Sequence, residues 1–181
     1  VHPYRHKAII LKDEKMPISI VSENPPDQNP LGAKLPVGLQ RLLHGADLPL
    51  PSYGTPLSAG LDLYAAVEGD VILNPGEWRP IPTGIAIALP AGYEAQIRPR
   101  SGLAVKYGVS VLNAPGTIDA DYRGEILGVI INHGRDPFTI TRGMRFAQMV
   151  IAPVTSIYWD ERETLTETDR NNGRFGSTGI R

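Results

Sequence analysis

The chain has 181 residues, with 18 Lys and Arg against 19 Asp and Glu, a formal charge of −1 and no cysteine. That length fits one domain of about 100 to 200 residues with an extension, and the balanced charge offers no basic stripe for nucleic acid or an anionic membrane surface. Lack of cysteine excludes a disulfide framework, a thiolate nucleophile, an iron–sulfur cluster and a cysteine zinc site. The longest apolar runs, such as Ile126 to Ile131, fall far short of the ~18 residues a membrane span needs. Neither nucleic acid nor membrane is expected as a partner.

Residues 1–35 read as an N-terminal extension. Met16 lies shortly after Val1, so the first residues are taken as partly leader, and the stretch containing Pro25-Pro26 and Asn29-Pro30 is expected to be disordered. The first residues carry no apolar core followed by a small-residue cleavage site, so no secretory signal is read and a cytoplasmic location is expected. His2 and His6 are four apart, but Pro3 argues against a helix presenting both to a metal.

The middle of the chain, 36–160, reads as all-β. Its 19 glycines and 17 prolines, counted over the whole sequence, punctuate short apolar segments. Strands are expected at Leu61–Val67, Val71–Leu73, Gly84–Leu89, Tyr93–Arg98, Val109–Leu112, Ile126–Asn132 and Phe138–Thr141, and over Phe146–Trp159 with a break at Pro153. Turn signals such as Asn74-Pro75-Gly76 and Pro90-Ala91-Gly92 separate them, which is the rhythm of a sandwich or jelly roll. One short helix is expected over Gly102–Tyr107, capped by Ser101. Ile126 to Ile131 reads as a strand covered on both faces, which points to a partner subunit. Residues 161–181 turn polar and then rich in glycine, and are expected to form a flexible C-terminal arm.

Three clusters carry chemistry. In Pro99-Arg100-Ser101-Gly102, Arg offers a planar fork of donors for phosphate oxygens, Ser a compact hydroxyl, and Gly close backbone approach. The stretch from Asn113 to Glu125 is a Gly- and Pro-bearing hairpin flanked by carboxylates, suited to holding one acid inside a pocket while another faces water. Arg170 to Gly179 combines glycines, an arginine, two hydroxyls and Phe175, a strip that could wrap phosphates and stack a ring on a base. Taken singly, each also reads as a capped turn, a solvated hairpin or a loose end. Neither GxxxxGK[ST] nor a GxGxxG between strand and helix is present.

Together with Ala59-Gly60-Leu61-Asp62-Leu63 and Gly143-Met144-Arg145-Phe146-Ala147-Gln148, these clusters resemble, in order and spacing, the five motifs of the trimeric deoxyuridine triphosphatases. The resemblance runs from about Pro36 to the C-terminus. It implies a distorted jelly-roll barrel assembled as a homotrimer with sites at subunit interfaces. It also implies hydrolysis of dUTP to dUMP and pyrophosphate, with Mg2+ bound through the triphosphate. That reaction limits uracil incorporation into DNA and supplies dUMP for thymidylate synthesis.

Carried over residue by residue, the resemblance gives Asp119 the task of activating the water that attacks the α-phosphorus in line with departing pyrophosphate. Arg100, Ser101, Gly102 and Gln148 would hold phosphate oxygens, and Asp62 would act on the metal through its water ligands. Tyr122 would pack on the deoxyribose and exclude a 2′-hydroxyl. Asn113 and the backbone around Thr117, Ile118 and Leu127 would read uracil. Arg170, Phe175, Gly176 and Ser177 would come from another subunit's arm, with Phe175 over the base. Asp121 is read as structural. A hairpin matched to uracil would leave donors and acceptors unpaired against cytosine at ~1 to 3 kcal/mol each, and close packing would reject the thymine methyl at a similar ~1 to 3 kcal/mol.

The sequence departs from the family at Asn171 and Arg174, where glycine is usual. Backbone freedom is thereby reduced and a charge added, and Arg174 is expected to support phosphate or acidic-surface contact. The deoxycytidine triphosphate deaminases, similar in fold and phosphate motif, rely on a Glu on the strand after the hairpin, whereas Ile126 to Arg135 holds no acidic residue; the same objection meets a bifunctional deaminase-diphosphatase. A non-catalytic jelly-roll module would explain the composition, but not Asp119, Gln148 and a phosphate-ready arm together.

Overall fold

Short apolar segments that alternate with turn residues must bury one face by pairing and stacking, and they do so here in three sheets. The computed structural model describes residues 34–168 and 171–173. Its strands are β1 (Gly38–Arg41), β2 (Ser52–Tyr53), β3 (Leu61–Tyr64), β4 (Val71–Leu73), β5 (Trp78–Ala88), β6 (Tyr93–Arg98), β7 (Val109–Val111), β8 (Gly116–Ile118), β9 (Glu125–Asn132), β10 (Phe138–Ile140) and β11 (Arg145–Pro153). One helix, α1 (Ser101–Tyr107), follows β6, and a 3-10 turn at Leu43–Gly45 follows β1. The sheet orders are β1-β5-β9-β7, β2-β3-β11-β6-β8 and the pair β10-β4. All pairings are antiparallel.

Inward residues of the two larger sheets close one core. Leu63, Ile81, Ile97, Ile126, Ile130 and Phe146 are fully buried within it, joined by Ile140 from β10 of the smaller sheet. Phe146 fits because Gly128 faces it: a β-carbon there would fall 2.5 Å from the ring. Asn132 is a fully buried polar residue with its bonds made. It donates to the carbonyls of Leu73 (2.9 Å) and Asp136 (2.8 Å) and accepts from the Gly134 amide (2.8 Å), which fixes the turn after β9.

β5 begins at Trp78, earlier than the expected Gly84. Pro80 and Pro82 mask it in the sequence. They are tolerated because β1 pairs only with Ile85–Ala88, so the first half of β5 has no neighbour on that side to need their missing N–H groups. The register between β5 and β9 shifts between Pro82 and Ala86, and Gly84 sits in this bulge with φ +69°. Gly84 touches Gly45 so closely that a β-carbon on either would meet the other's backbone at 2.4 to 2.6 Å. The Leu42 amide donates to the Gly84 carbonyl at 2.8 Å, locking the 3-10 turn to the bulge.

Other differences from the sequence-based expectation are local. β1, β2 and β8 are extra strands, while β11 stops at Pro153 and leaves Ile157, Tyr158 and Trp159 exposed. Ser101 is the first helical residue, not the cap; Arg100 occupies the cap position in an extended conformation, with no side-chain cap bond. Within a single chain the 126–131 stretch is covered on one face throughout and on the other only at Ile131, which is buried. Ile126 and Ile130 are fully buried, whereas Leu127 is 42% exposed and Val129 half-buried.

Charged side chains tie the surface loops. Arg142 donates to the carbonyls of His44 (2.7 Å) and Val67 (3.0 Å) and pairs with the Asp47 carboxylate, and that hydrogen bond holds Asp47 below the usual carboxylate range. The Asn74 amide donates to Glu77 at 3.0 Å and lowers its carboxyl likewise.

Candidate functional site

Register places four polar residues in one row across a sheet. Ser52 pairs with Asp62, Asp62 with Gln148 and Gln148 with Arg98, on β2, β3, β11 and β6. Neighbours along each strand, Leu63, Ala147 and Ile97, are buried in the core. Alternation therefore turns this row outward.

Arg145 joins the row through a bulge. It is three residues from Gln148 and in a regular strand would point to the opposite face, but the β3–β11 register slips between Arg145 and Ala147 and brings it outward. Its guanidinium reaches Asp62 Oδ2 at 3.0 Å, while Arg100 Nε lies 2.9 Å from Asp62 Oδ1. A second Arg100 nitrogen donates to the Arg145 carbonyl at 2.8 Å. Asp62, 17% exposed, thus fixes two arginines at once. Gln148 donates from Nε2 to the Pro99 carbonyl at 2.9 Å, pinning the turn that leads into α1.

An open cleft of about 710 Å³ lies over this row. Its lining includes Gly60, Asp62, Arg98, Arg100, Ser101, Gly102, Lys106 and Gln148. The Leu103 and Ala104 amides donate to the Arg100 carbonyl at 3.1 Å, which leaves the Ser101 and Gly102 amides at the start of α1 without an acceptor inside the helix. Lys106 stands 5.0 Å from the centre of the Tyr107 ring. One carboxylate against three lining cations gives the cleft an excess of positive charge and of hydrogen-bond donors, the chemistry that receives a polyanion.

The remaining expected residues form a second group on the hairpin that carries β8. Thr117 pairs with Gln96 and Ile118 with Ala95. Asn113 packs beside Gly116, whose β-carbon would sit 3.2 Å from the Asn113 amide nitrogen. Asp119 is exposed at the turn, and its carbonyl accepts from the Tyr122 amide at 3.2 Å. The Tyr122 hydroxyl donates to the Glu125 carbonyl at 2.9 Å, and Gly124 leaves room for that ring. Leu127, on β9, is exposed. None of Asn113, Thr117, Ile118, Asp119, Tyr122 or Leu127 lines the cleft.

Arg170, Phe175, Gly176 and Ser177 lie outside the described residues, as does Arg174. Asn171 is described, with φ +38°. That is left-handed backbone, which Asn tolerates better than most side chains, so Asn stands here in a conformation natural to glycine. The cations Arg98 and Lys106, which line the cleft, were not singled out from sequence, nor was Arg145, which reaches the site through Asp62. For Arg145 the available signal was its place inside the Gly143–Gln148 motif.

Among the described residues no three His, Cys, Asp or Glu side chains gather as a metal cage. Among those residues Asp62 is the one carboxylate lining the cleft. Each of its oxygens accepts from one arginine and keeps a lone pair for a further donor. Such a donor set does not hold a bare ion; it fits a hydrated hard cation that arrives bound to phosphates.

Comparison with known proteins agrees with this chemistry. The family model described as dUTPase matches residues 46–179. A deoxyuridine 5′-triphosphate nucleotidohydrolase of Maricaulis maris (strain MCS10) is 60% identical over 149 residues, covering 81% of this chain and 98% of that relative. A protein of the same name from Anaplasma marginale (strain St. Maries) is 58% identical, over 80% of this chain and 99% of its own. Among solved structures, a mutant dUTPase of Staphylococcus bacteriophage 80alpha with dUpNHpp superposes with a TM-score of 0.72 at 24% identity, over 80% of this chain and 99% of that one. A mutant dUTPase from phage phi11 of S. aureus, described with a structural Mg(II) ion, gives 0.64 at 23% identity, over 71% of this chain and 97% of its own. Those superpositions make the fold a distorted jelly-roll barrel.

Proposed function

The chain belongs to the dUTPase family and hydrolyses dUTP to dUMP and pyrophosphate, and on that premise we propose how its residues divide the work. The cleft over β3, β11, β6 and α1 takes the triphosphate. The β8 hairpin of another copy supplies base recognition and the water-activating carboxylate. The observation that carries this reading is the convergence of Arg100, Ser101, Gly102 and Gln148 on one donor-rich cleft.

Arg100 presents a guanidinium already oriented by Asp62, so little side-chain freedom is lost when it meets a phosphate. Ser101 and Gly102 add hydroxyl and amide donors to the same oxygens. Asp119, exposed at its turn, accepts a proton from water as that water attacks the α-phosphorus opposite the leaving pyrophosphate. The fixed donors of the cleft receive the charge that develops on the phosphates. Asn113 and the backbone of Thr117, Ile118 and Leu127 read uracil, and Tyr122 packs against the deoxyribose. Arg170, Phe175, Gly176 and Ser177 complete the site from another copy's arm.

Magnesium is assigned as the ion that arrives with dUTP, with Asp62 as its one carboxylate neighbour, acting through water. When bound, it supplies positive charge beside the phosphate oxygens.

A homotrimer is supported by the outer face of the β5–β9 pair. There Trp78 stands opposite Ile131, Pro80 opposite Val129 and Pro82 opposite Leu127, a wholly apolar row in which Trp78, Pro80 and Leu127 are exposed in one chain and Ile131 is already buried. Burial of such a stripe is the usual drive for permanent association. We place the enzyme in the cytoplasm, with the free deoxynucleotides. No helix among the described residues is long and apolar enough to cross a membrane.

Pyrophosphate release measured in parallel with dUTP, dCTP, dTTP and UTP tests the reading. Turnover confined to dUTP, and lost in Asp119→Asn, is expected. Equal turnover of dCTP, or an Asp119→Asn protein as fast as the parent, would overturn it.

A further inference from the structure

We propose that His44 and Glu125 are positioning residues that set the Tyr122 side of the substrate site, and so govern discrimination between deoxyribo- and ribonucleotides. The inference rests on the role given to Tyr122 above. Glu125 opens β9 where the hairpin returns to its sheet, and its main-chain carbonyl accepts the Tyr122 hydroxyl at 2.9 Å. Where Glu125 sits therefore decides where the Tyr122 ring is held.

The Glu125 side chain is itself fixed from two directions. Its Oε1 accepts the Gly84 amide at 2.7 Å and the His44 Nε2–H at 2.7 Å. Gly84 lies in the β5 bulge, where the ladder to β9 breaks and the amide has lost its regular acceptor. The carboxylate replaces that acceptor. His44 belongs to the 3-10 turn, which is held against the same bulge by the Gly45–Gly84 contact and by the Leu42-to-Gly84 bond. Its carbonyl is tied in turn by Arg142 at 2.7 Å. A carboxylate can only accept, so imidazole Nε2 carries the proton in this pair.

The contacts thus run without a gap from the turn after β1 to a residue of the substrate site. None of His44, Gly84 or Glu125 lines the cleft, so their influence passes through Tyr122 and not through contact with phosphate. Removing the imidazole leaves the Glu125 carboxylate with the Gly84 amide alone among the described residues, and the freed movement appears at the Tyr122 ring.

The test measures kcat and KM for dUTP and UTP, with melting temperature, in His44→Ala, His44→Gln, Tyr122→Phe and the double variant His44→Ala/Tyr122→Phe. Gln places an N–H donor near the position of Nε2. His44→Ala is expected to lower the dUTP-to-UTP ratio of kcat/KM about tenfold, and His44→Gln to recover most of it. The double variant should lose no more than the worse single one, as coupled sites do. A His44→Ala protein that melts earlier but keeps the parent ratio overturns the inference, as does a His44→Gln protein no better than His44→Ala. Tyr122→Ala separates the premise from the proposal: an unchanged ratio there sinks the role of Tyr122 itself, whereas a fallen ratio beside an unmoved His44→Ala sinks only the coupling.

Discussion

A β-carbon on Gly60 would stand 2.1 Å from the amide oxygen of Gln148. The glutamine lies across this bare stretch of backbone and from there reaches the Pro99 carbonyl. Gly60→Ala is therefore expected to expel the Gln148 amide and loosen the turn before Arg100. The loss should appear as about a tenfold drop in kcat/KM for dUTP, with melting nearly unchanged because Gln148 is not a core residue. Steady-state kinetics beside a thermal melt decide it.

Asp119 is exposed and makes no side-chain hydrogen bond or ion pair among the described residues. Asp119→Asn should fold as the parent does and lose about 10² to 10⁴ in kcat, the usual range for removing a general base. A pyrophosphate assay and circular dichroism on one preparation check both halves of that statement.

Val129 faces outward between Pro80 and the next apolar pair of the β5–β9 row. Val129→Glu puts a charge into that row and is expected to give monomers by native mass spectrometry. Activity should fall with the assembly, since the hairpin and cleft would no longer meet.

Gly128→Ala intrudes on the Phe146 ring, which is packed on all sides. Overpacking of this kind costs about 1 to 3 kcal/mol, whereas Phe146→Ala, which leaves a void, should cost about 3 to 5 kcal/mol. Urea denaturation of both variants gives the comparison.

Two surface carboxyls steepen the acid limb of stability. Asp47 is lowered by its hydrogen bond from Arg142 and Glu77 by the Asn74 amide. A depressed carboxyl stabilises the fold above its unfolded pKa of about 4, and that help fades as pH falls through the folded value. Asp47→Asn with Glu77→Gln should flatten the decline of the denaturation midpoint below about pH 4 and leave the neutral-pH enzyme active.

Much of this site can be read from the chain because its parts are contiguous. Arg100, Ser101 and Gly102 are neighbours in sequence and remain so in the cleft. Arg145 is different: strand parity assigns it to the core face, and only a bulge, which has no signature of its own, reverses that. Pro80 and Pro82 hid the start of β5, since their tolerance depends on how far β1 extends. β8 was missed because it is only three residues long and opens on Gly116 directly after Pro115, two residue types depleted in strands, so that pairing with β6 and not local preference defines it. The continuous apolar run from Ile126 to Ile131 led to the expectation of cover on both faces, but such a run does not say how far each position is covered, and within one chain Leu127 stays exposed while Ile131 is buried. For Asn171, substitution of a usual glycine suggested lost freedom, yet the backbone there is left-handed all the same.

The hairpin and the cleft occupy different regions of one chain, and this has a bearing on how the enzyme responds to scarcity. A lone copy holds two unmatched halves, so on the proposed sharing its specific activity should decay on dilution. Mixing copies disabled at Asp119 with copies disabled at Arg100 should then restore some turnover, since a fraction of the seams would pair an intact half from each.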